Sequence, residues 1–427
     1  MNQINYIKQL ELYGDYDVAV LGGGPSGVCA AVTAARQGAK VLLVESTGLL
    51  GGMATSGLVG PFMTVYDRDG NQKVVGGIFD EIVERLKKYS AVVPPEEVDS
   101  PSRYTSYIRR YHKHLVPFNP FYLQIVLDDM VSESGVETLC YTKFTDCIVE
   151  NGTIRYVLLS APEGMLCVSA KVFIDCTGIA AVAAQVGVPT YKGEEEHGIP
   201  QPATLMFEVG PVDDERYQER PEQPVKAYRT PTKGQYKVNH YRVFNVDAAN
   251  AKSLTDAHRI ARKQVLDAHA VLRNQTPGFE QAEILGIASV LGVRESRHIE
   301  GEYKITVQDV AEGVKFYDRI ATYGYGLDVH PRSANERGNF KIETAERYYI
   351  PYRSLLPKNC FNLLVAGKTI SCESQAVGGM RCMPAAMAMG QAAGTAAAIS
   401  AKDNVPLKNV DIKKLQQQLK NDGAIID

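Results

Sequence analysis

Apolar and polar positions along the chain follow two different periods, and the places where the period changes mark the expected elements. Residues 17–21, Asp-Val-Ala-Val-Leu, are a short apolar run rich in β-branched side chains, which predicts a fully buried strand. Residues 28–37 are Ala-rich and predict a helix, with Gly38 where a helix C-cap is expected. Residues 40–44 predict a second strand, ending at Glu45. Ile78, Ile82 and Leu86, with Phe79 and Val83 beside them, give residues 77–89 the stripe of an amphipathic helix. Asn119 and Pro120 read as an N-cap and a first helical residue, so a helix is expected over 121–134. The period then falls to two. Strands are expected over 136–141, 144–150, 153–160 and 166–170, with a hairpin at Asn151-Gly152 and a turn at 162–164, which together make a small β-meander. Buried strands are expected again at 171–175 and 362–365. Pro384 opens a last helix of small residues that contains Gly390 and Gly394.

Between about 193 and 344 the character changes to polar, Pro-rich and Tyr-rich, as in Pro221-Glu222-Gln223-Pro224 and Thr230-Pro231. A continuous doubly wound domain does not need so long a stretch, so 193–344 reads as an inserted α+β substrate or cap domain. Its one long helix is expected from Thr255-Asp256 to about Asn274. Ala257, Ile260, Ala261, Val265, Ala268 and Leu272 form the apolar stripe, and His258 and His269 are ordinary half-exposed residues. The remainder, 1–192 and 345–427, then forms one discontinuous α/β domain. A length of 427 residues suits this division.

Composition narrows the function classes. Lys and Arg total 46 against 49 Asp and Glu, a net charge of −3, which argues against counterion-driven nucleic-acid binding. No stretch approaches the ~20 apolar residues of a membrane span. The start, MNQINYIKQLELYGDYD, shows neither an apolar h-region nor a cleavage site. The eight cysteines include no C-x-x-C pair, so neither a zinc ribbon nor a dithiol motif is expected. Reduced, mostly buried thiols in a cytoplasmic protein are the simpler expectation.

The sharpest chemical signal lies in Gly22-Gly23-Gly24-Pro25-Ser26-Gly27, a G-x-G-x-x-G between the first strand and the first helix. Gly22 allows the tight turn, Gly24 lets backbone amides approach a pyrophosphate, and Gly27 lets the helix pack close to the sheet. The helix N-terminus offers unpaired N–H groups to the phosphates. Glu45 stands at the right distance to accept both ribose hydroxyls, and its charge disfavours a 2′-phosphate. Dinucleotide binding follows, though this motif alone does not choose between NAD and FAD.

The stretch YDVAVLGGGPSGVCAAVTAARQGAKVLLVES, followed by LLGGMATSGL, resembles the N-terminus of a FAD-dependent oxidoreductase. It is similar to the fumarate reductase/succinate dehydrogenase-like flavoprotein superfamily and to its smaller FAD-dependent oxidoreductase branch. The resemblance implies a Rossmann-like FAD-binding domain with the β-meander beside its parallel sheet. It places FAD against Gly22, Gly24, Pro25, Ser26 and Gly27, against Glu45 and Ser46, and against Gly51, Gly52 and Met53. Asp175-Cys176-Thr177-Gly178 resembles the family's second nucleotide-proximal element, which assigns Thr177 and Gly178 to the cofactor. The usual Gly-Asp continuation is replaced by Gly178-Ile179. Toward the C-terminus, Ala366-Gly367 and Gly378-Gly379-Met380-Arg381 before the small-residue helix resemble the family's flavin motif, which carries Gly367, Gly379, Met380 and Arg381 over as FAD contacts. A helix N-terminus aimed at the flavin would stabilise its reduced, anionic form.

Flavin chemistry also needs groups that hold a substrate and often one that moves a proton. Arg294 and Arg297, in Leu291-Gly292-Val293-Arg294-Glu295-Ser296-Arg297-His298, resemble the branch's Gly-x-Arg-Glu-x-Arg segment. On a helical turn they share a face and clamp a carboxylate or phosphate; on a strand they point apart. His240, in Asn239-His240-Tyr241-Arg242, is the candidate proton carrier. Arg109, Arg110, His112, Lys113 and His114 are expected as a solvated face. The resulting expectation is hydride transfer between a small organic substrate and flavin N5. The alternatives are a flavin monooxygenase or halogenase, and a non-catalytic FAD redox sensor or electron carrier. Expected partners are a small-molecule substrate and an unidentified electron acceptor or donor, without nucleic acid, membrane span or metal. Assembly into a homo-oligomer is left open.

Overall fold

The apolar run at 17–21 is the end of a longer strand, β1 (Leu12–Leu21), in the computed structural model, which describes residues 7–98, 112–217, 224–336 and 342–427. After it come α1 (Pro25–Arg36), β2 (Val41–Val44), α2 (Ile78–Lys87), α3 (Pro120–Glu133) and β3 (Glu137–Leu139). Then follow β4 (Lys143–Glu150), β5 (Thr153–Ala161), β6 (Gly164–Asp175), α4 (Ala181–Gln185), β7 (Thr190–Lys192) and β8 (Phe207–Gly210). The middle of the chain holds β9 (Ala227–Arg229), β10 (Tyr236–Val238), α5 (Ala251–Gln275), β11 (Glu283–Ile287), β12 (Arg297–Ile299) and α6 (Val307–Glu312). The last elements are β13 (Arg319–Tyr323), β14 (Tyr348–Pro351), β15 (Leu363–Val365), α7 (Val377–Met380), α8 (Met383–Asp403) and α9 (Ile412–Asn421).

The main sheet has the order β3-β2-β1-β6-β5-β4, with β15 also paired to β6. The pairs β3–β2, β2–β1, β1–β6 and β6–β15 are parallel, whereas β6–β5 and β5–β4 are antiparallel. The sequence pattern separates 166–170 from 171–175, but both lie in the single strand β6. No Gly, Pro or Asn interrupts residues 165–175, so the extended chain runs on. Its first half pairs with the meander strand β5 and its last residues with β15.

Burial on both faces explains why β1 lacks alternation. Val18 and Val20 join one apolar cluster with α1 and α8, while Ala19 and Leu21 join another on the opposite face with Leu42, Phe173 and Val365. Helices α1 and α8 pack unusually close. A Cβ on Gly390 would lie 2.1 Å from Ser26 O, and one on Gly394 would lie 2.2 Å from Ala30 O. These two glycines therefore serve contact with α1.

A second sheet, β11-β8-β10-β9, is antiparallel and is covered by α5. Its apolar cluster draws on residues 203–291 and on Leu58. By contrast Ile305, Val310, Ile320, Tyr323 and Leu327 pack into the main cluster, and β13 pairs with β14 across position 344. Helix α5 starts at Ala251, earlier than the pattern predicts, because the Asn250 side chain accepts the Ser253 N–H as a cap. Ile260 is 50% exposed and stands outside the buried stripe of Ala257, Ala261, Val265, Ala268 and Leu272. Asn119 caps α3 through the Phe121 N–H.

Arg109 and Arg110 fall outside the described residues. Their neighbours His112, Lys113 and His114 are half-buried and form no solvated face: the His114 ring bonds Pro95 O at 2.9 Å and Gly70 O at 3.2 Å. All eight cysteines are free. Among the described residues no helix is long and apolar enough to cross a membrane, and no three His, Cys, Asp or Glu residues converge to hold a metal ion.

Candidate active site

A cavity of about 900 Å³ runs between the main sheet and the second sheet, within the range of cofactor sites. At one end the β1–α1 turn forms its wall. Gly22 has φ +104°, and a Cβ there would strike Cys176 O at 2.5 Å, so only glycine makes this turn. A Cβ on Gly27 would meet Gly22 O at 1.8 Å, so the helix approaches the turn only with glycine there. Gly24 differs: a Cβ would meet nothing within 4 Å, because that side opens to the cavity. With Pro25 at the first helical position and no side-chain cap, the first N–H groups of α1 stay available to an anion.

Glu45 is anchored where β2 ends. Its carboxylate accepts Gly23 N–H at 2.8 Å and Thr47 N–H at 2.7 Å, which holds it at the cavity wall beside Ser46. Asp175 shapes the neighbouring turn from below. It is fully buried and accepts Thr177 N–H and Oγ1–H, Val182 N–H and Ala183 N–H. Burial pushes its carboxyl up from the usual range, and these bonds oppose the rise. Thr177 and Gly178 line the cavity as a result. Ile179, where an acid is usual, contributes its carbonyl to Arg297 Nε at 2.8 Å.

The lining continues past Gly52, Met53 and Gly367 to Arg381, Cys382 and Met383 at the start of α8. An elongated dinucleotide fits this set: an open glycine and free helix N–H groups for a pyrophosphate, an anchored carboxylate for a ribose, and a second helix start for a flavin. When bound, FAD supplies a two-electron redox centre.

The other part of the cavity is cationic. Arg242, Arg294 and Arg381 line it, brought together from the segment after β10, the loop before β12 and the end of α7. Arg294 Nη1 donates to Pro202 O at 2.8 Å and Thr204 Oγ1 at 2.7 Å, and Nη2 to Asn239 Oδ1 at 3.4 Å. Arg242 Nη1 donates to the same Thr204 and Asn239 oxygens, at 3.3 Å each, and to His240 O at 2.5 Å. Arg381 Nη2 reaches Asp328 Oδ2 at 2.8 Å, while its Nε is buried without a partner. Burial depresses the Arg294 pKa well below its ordinary value, and the positive neighbours Arg242 and Arg381 depress it further. The lining contains two carboxylates, Glu45 and Asp328, so this end is short of negative charge.

Of the residues singled out from sequence, Gly22, Gly24, Pro25, Ser26, Glu45, Ser46, Gly52, Met53, Thr177, Gly178, Gly367, Arg294 and Arg381 line the cavity. Gly27 and Gly51 stand behind the wall as packing positions, with Thr55 and Leu127 next to Gly51. Gly379 and Met380 are buried in the core, Gly379 against the Tyr348 hydroxyl. Arg294 and Arg297 do not share a face. No helical turn forms over 293–296, and Arg297, opening β12, turns to Ile179 O. Glu295 pairs with Arg332 at 2.9 Å instead. His240 lines a separate small pocket with Leu205, Tyr241 and Gln264.

The cavity's imidazoles are His112, His258 and His330. His330 and Asp328 were not apparent from the sequence; a tight turn centred on Asp328, closed by the Val329 N–H on Leu327 O at 3.0 Å, precedes His330, and the two side chains meet at 3.2 Å. Lys368, also in the wall, donates to Val293 O at 2.5 Å, and burial lowers its pKa to about 8.

Comparison with known proteins bears on the fold and the family. Over 75 residues the chain is 33% identical to a ferredoxin–NADP reductase of Streptococcus agalactiae, a match covering 17% of this chain and 22% of that protein. The chain thus spans under a quarter of that relative's length. Among solved structures, the p-nitrophenol 4-monooxygenase PnpA of Pseudomonas putida DLL-E4 superposes with a TM-score of 0.51 at 12% identity, covering 92% of this chain and 82% of that one. The flavin-dependent brominase Bmp2 does so with a TM-score of 0.51 at 14% identity, covering 96% and 84%. These likenesses establish a shared FAD-binding fold. The sequence profile of the FAD dependent oxidoreductase family matches residues 17–419, and the chain belongs to that family.

Proposed function

We propose that this FAD-dependent oxidoreductase transfers a hydride between an anionic small organic substrate, a carboxylate, and flavin N5. The observation that carries the reading is the convergence of Arg242, Arg294 and Arg381 on one end of the cavity, where Asp328 is the one carboxylate among the described residues of the lining. Arg242 and Arg294 are held by neutral acceptors only, so no carboxylate satisfies them, and their planar donors match a ligand carboxylate. FAD would lie along Gly22, Gly24, Pro25, Ser26, Glu45, Ser46, Gly52, Thr177, Gly178 and Gly367. The unit of 203–291 would act as a cap that carries Arg242 to the substrate, with Arg294 on the loop that leads out of it. The Asp175-x-Thr177-Gly178 turn and the Gly51-Gly52 loop support placement within the fumarate reductase/succinate dehydrogenase-like superfamily.

The test is an anaerobic screen of the FAD-loaded protein against 2-hydroxycarboxylates, dicarboxylates, neutral alcohols and sugars, following loss of the visible flavin band. Bleaching by carboxylates but not by their neutral analogues is expected. Bleaching only by neutral compounds, or by none, overturns the reading. Rapid oxygen consumption with hydroxylation or halogenation of the substrate would establish the monooxygenase alternative.

A further inference from the structure

Asp328 and His330 both line the cavity, and Asp328 bonds Arg381 of the arginine cluster. His330 Nε2 lies 3.2 Å from Asp328 Oδ2, and that oxygen also accepts Arg381 Nη2 at 2.8 Å. The His330 backbone N–H is pinned to Gln201 Oε1 at 3.1 Å, which sets the height of the ring. Among the described residues Asp328 is the one partner of the imidazole, so Nδ1 has none while the residue lines the cavity. A carboxylate beside Nε2 keeps the proton on that nitrogen and leaves Nδ1 as the base.

We propose that His330, oriented by Asp328, is the proton acceptor for a substrate hydroxyl on the carbon next to the clamped carboxylate, which makes the substrate a 2-hydroxy acid. This rests on the carboxylate reading above. Oxidation of a 2-hydroxy acid to the 2-oxo acid breaks a C–H and an O–H bond and forms the second C–O bond. The hydride is taken by the flavin oxidant that the family supplies, and the O–H proton goes to His330 Nδ1.

The charges around the ring suit the task. Arg242 faces His330 from the segment after β10 and Arg294 from the loop before β12, Asp328 faces it from its own segment, and Arg381 acts through Asp328. Burial and the two arginines lower the His330 pKa to about 3, so the ring is neutral and ready to accept a proton. A substrate carboxylate between Arg242 and Arg294 screens them, and the ring becomes more basic as the anion binds.

Oxalate imitates this situation, with one carboxylate for the clamp and a second negative oxygen where the hydroxyl loses its proton. Its binding to the FAD-loaded protein is measured by calorimetry in buffers of different ionisation heat. The wild type should take up close to one proton per oxalate near neutral pH, with affinity falling about tenfold per pH unit above that. His330→Gln should bind oxalate with no proton uptake and no pH dependence. Asp328→Asn should retain binding and shift the uptake to lower pH. Uptake that survives in His330→Gln, no uptake in the wild type, or no oxalate binding overturns the proposal. As a second measurement, the 2-hydroxy acid that bleaches the wild type should reduce the His330→Gln flavin at least about a hundredfold more slowly. If no 2-hydroxy acid bleaches the wild type, the hydride reading fails while the calorimetry still decides the role of His330.

Discussion

Arg242 and Arg294 donate to the same two acceptors, Thr204 Oγ1 and Asn239 Oδ1. Two guanidiniums sharing neutral oxygens, with no carboxylate between them, repel each other in a buried site. Such an arrangement is stable only at a cost of about a few kcal/mol unless an anion joins it. A ligand anion therefore recovers energy that the folded protein alone leaves unpaired.

Arg294→Lys keeps one charge but loses the forked donor geometry. Oxalate affinity of the FAD-loaded protein should fall by about tenfold or more, with FAD content unchanged. Arg297→Lys, outside the cavity, should leave oxalate affinity within about twofold. Titrating both variants with oxalate by calorimetry checks the contrast, and equal losses would refute it.

Gly24→Ala and Gly27→Ala should separate cofactor binding from folding. Gly24 has φ −72° and an open Cβ direction, so its alanine variant should fold with a stability loss of about 1 kcal/mol or less. Its new methyl group points into the cavity and should weaken FAD by about tenfold or more. At Gly27 the Cβ meets Gly22 O at 1.8 Å, so alanine should destabilise the apoprotein by about 1–3 kcal/mol. Thermal melts of the apoprotein together with FAD titration distinguish the two.

Gly390→Ala drives a methyl group into Ser26 O at 2.1 Å. The expected result is a stability loss of about 1–3 kcal/mol. Weaker FAD binding should accompany it, because Ser26 lies in the first turn of α1. Urea unfolding and FAD titration provide the readouts, and unchanged values in both would contradict the close approach of α1 and α8.

Glu295 should contribute a pH-dependent part of stability. Burial raises its carboxyl, but the Arg332 guanidinium at 2.9 Å, the nearby His298 ring and hydrogen bonds from Ser374 Oγ–H and Gln201 N–H outweigh it and hold the carboxyl at about 2, against an ordinary 4.5. The folded form thus releases this proton more readily than the unfolded chain, and unfolding below about pH 4.5 takes a proton up. The stabilisation, on the order of 3 kcal/mol, is complete above pH 4.5 and lost as pH falls toward 2. Glu295→Gln should be destabilised by about that amount at pH 7, and the gap to the wild type should narrow as pH drops. Urea titrations at several pH values measure it, and a constant gap would count against the assignment.

Residues 17–45 were legible because every requirement there is local. The strand, the glycine turn, the Ala-rich helix and Glu45 are contiguous, and each acts on its near neighbours. The same holds for the Asn119 cap and the Asn151-Gly152 hairpin. The cap's own core was legible only in outline: Ile305, Tyr323 and Leu327 lie inside the polar stretch of sequence but pack into the main cluster. The cationic end of the cavity was hardest to read. Arg297 and His240 resemble Arg294 and Arg242 in kind and stand close to them in sequence, yet they turn away from the cavity.

The amino-acid order by itself determined the first β–α–β unit and its fit to a dinucleotide, because backbone geometry and a few glycines suffice for that shape. Only the tertiary structure decided which of the many arginines and histidines meet. Arg242, Arg294, the Asp328–His330 pair and Arg381 come from four separate segments whose directions depend on how the second sheet packs over the main one. That packing is set by apolar contacts between distant residues, which no local pattern encodes.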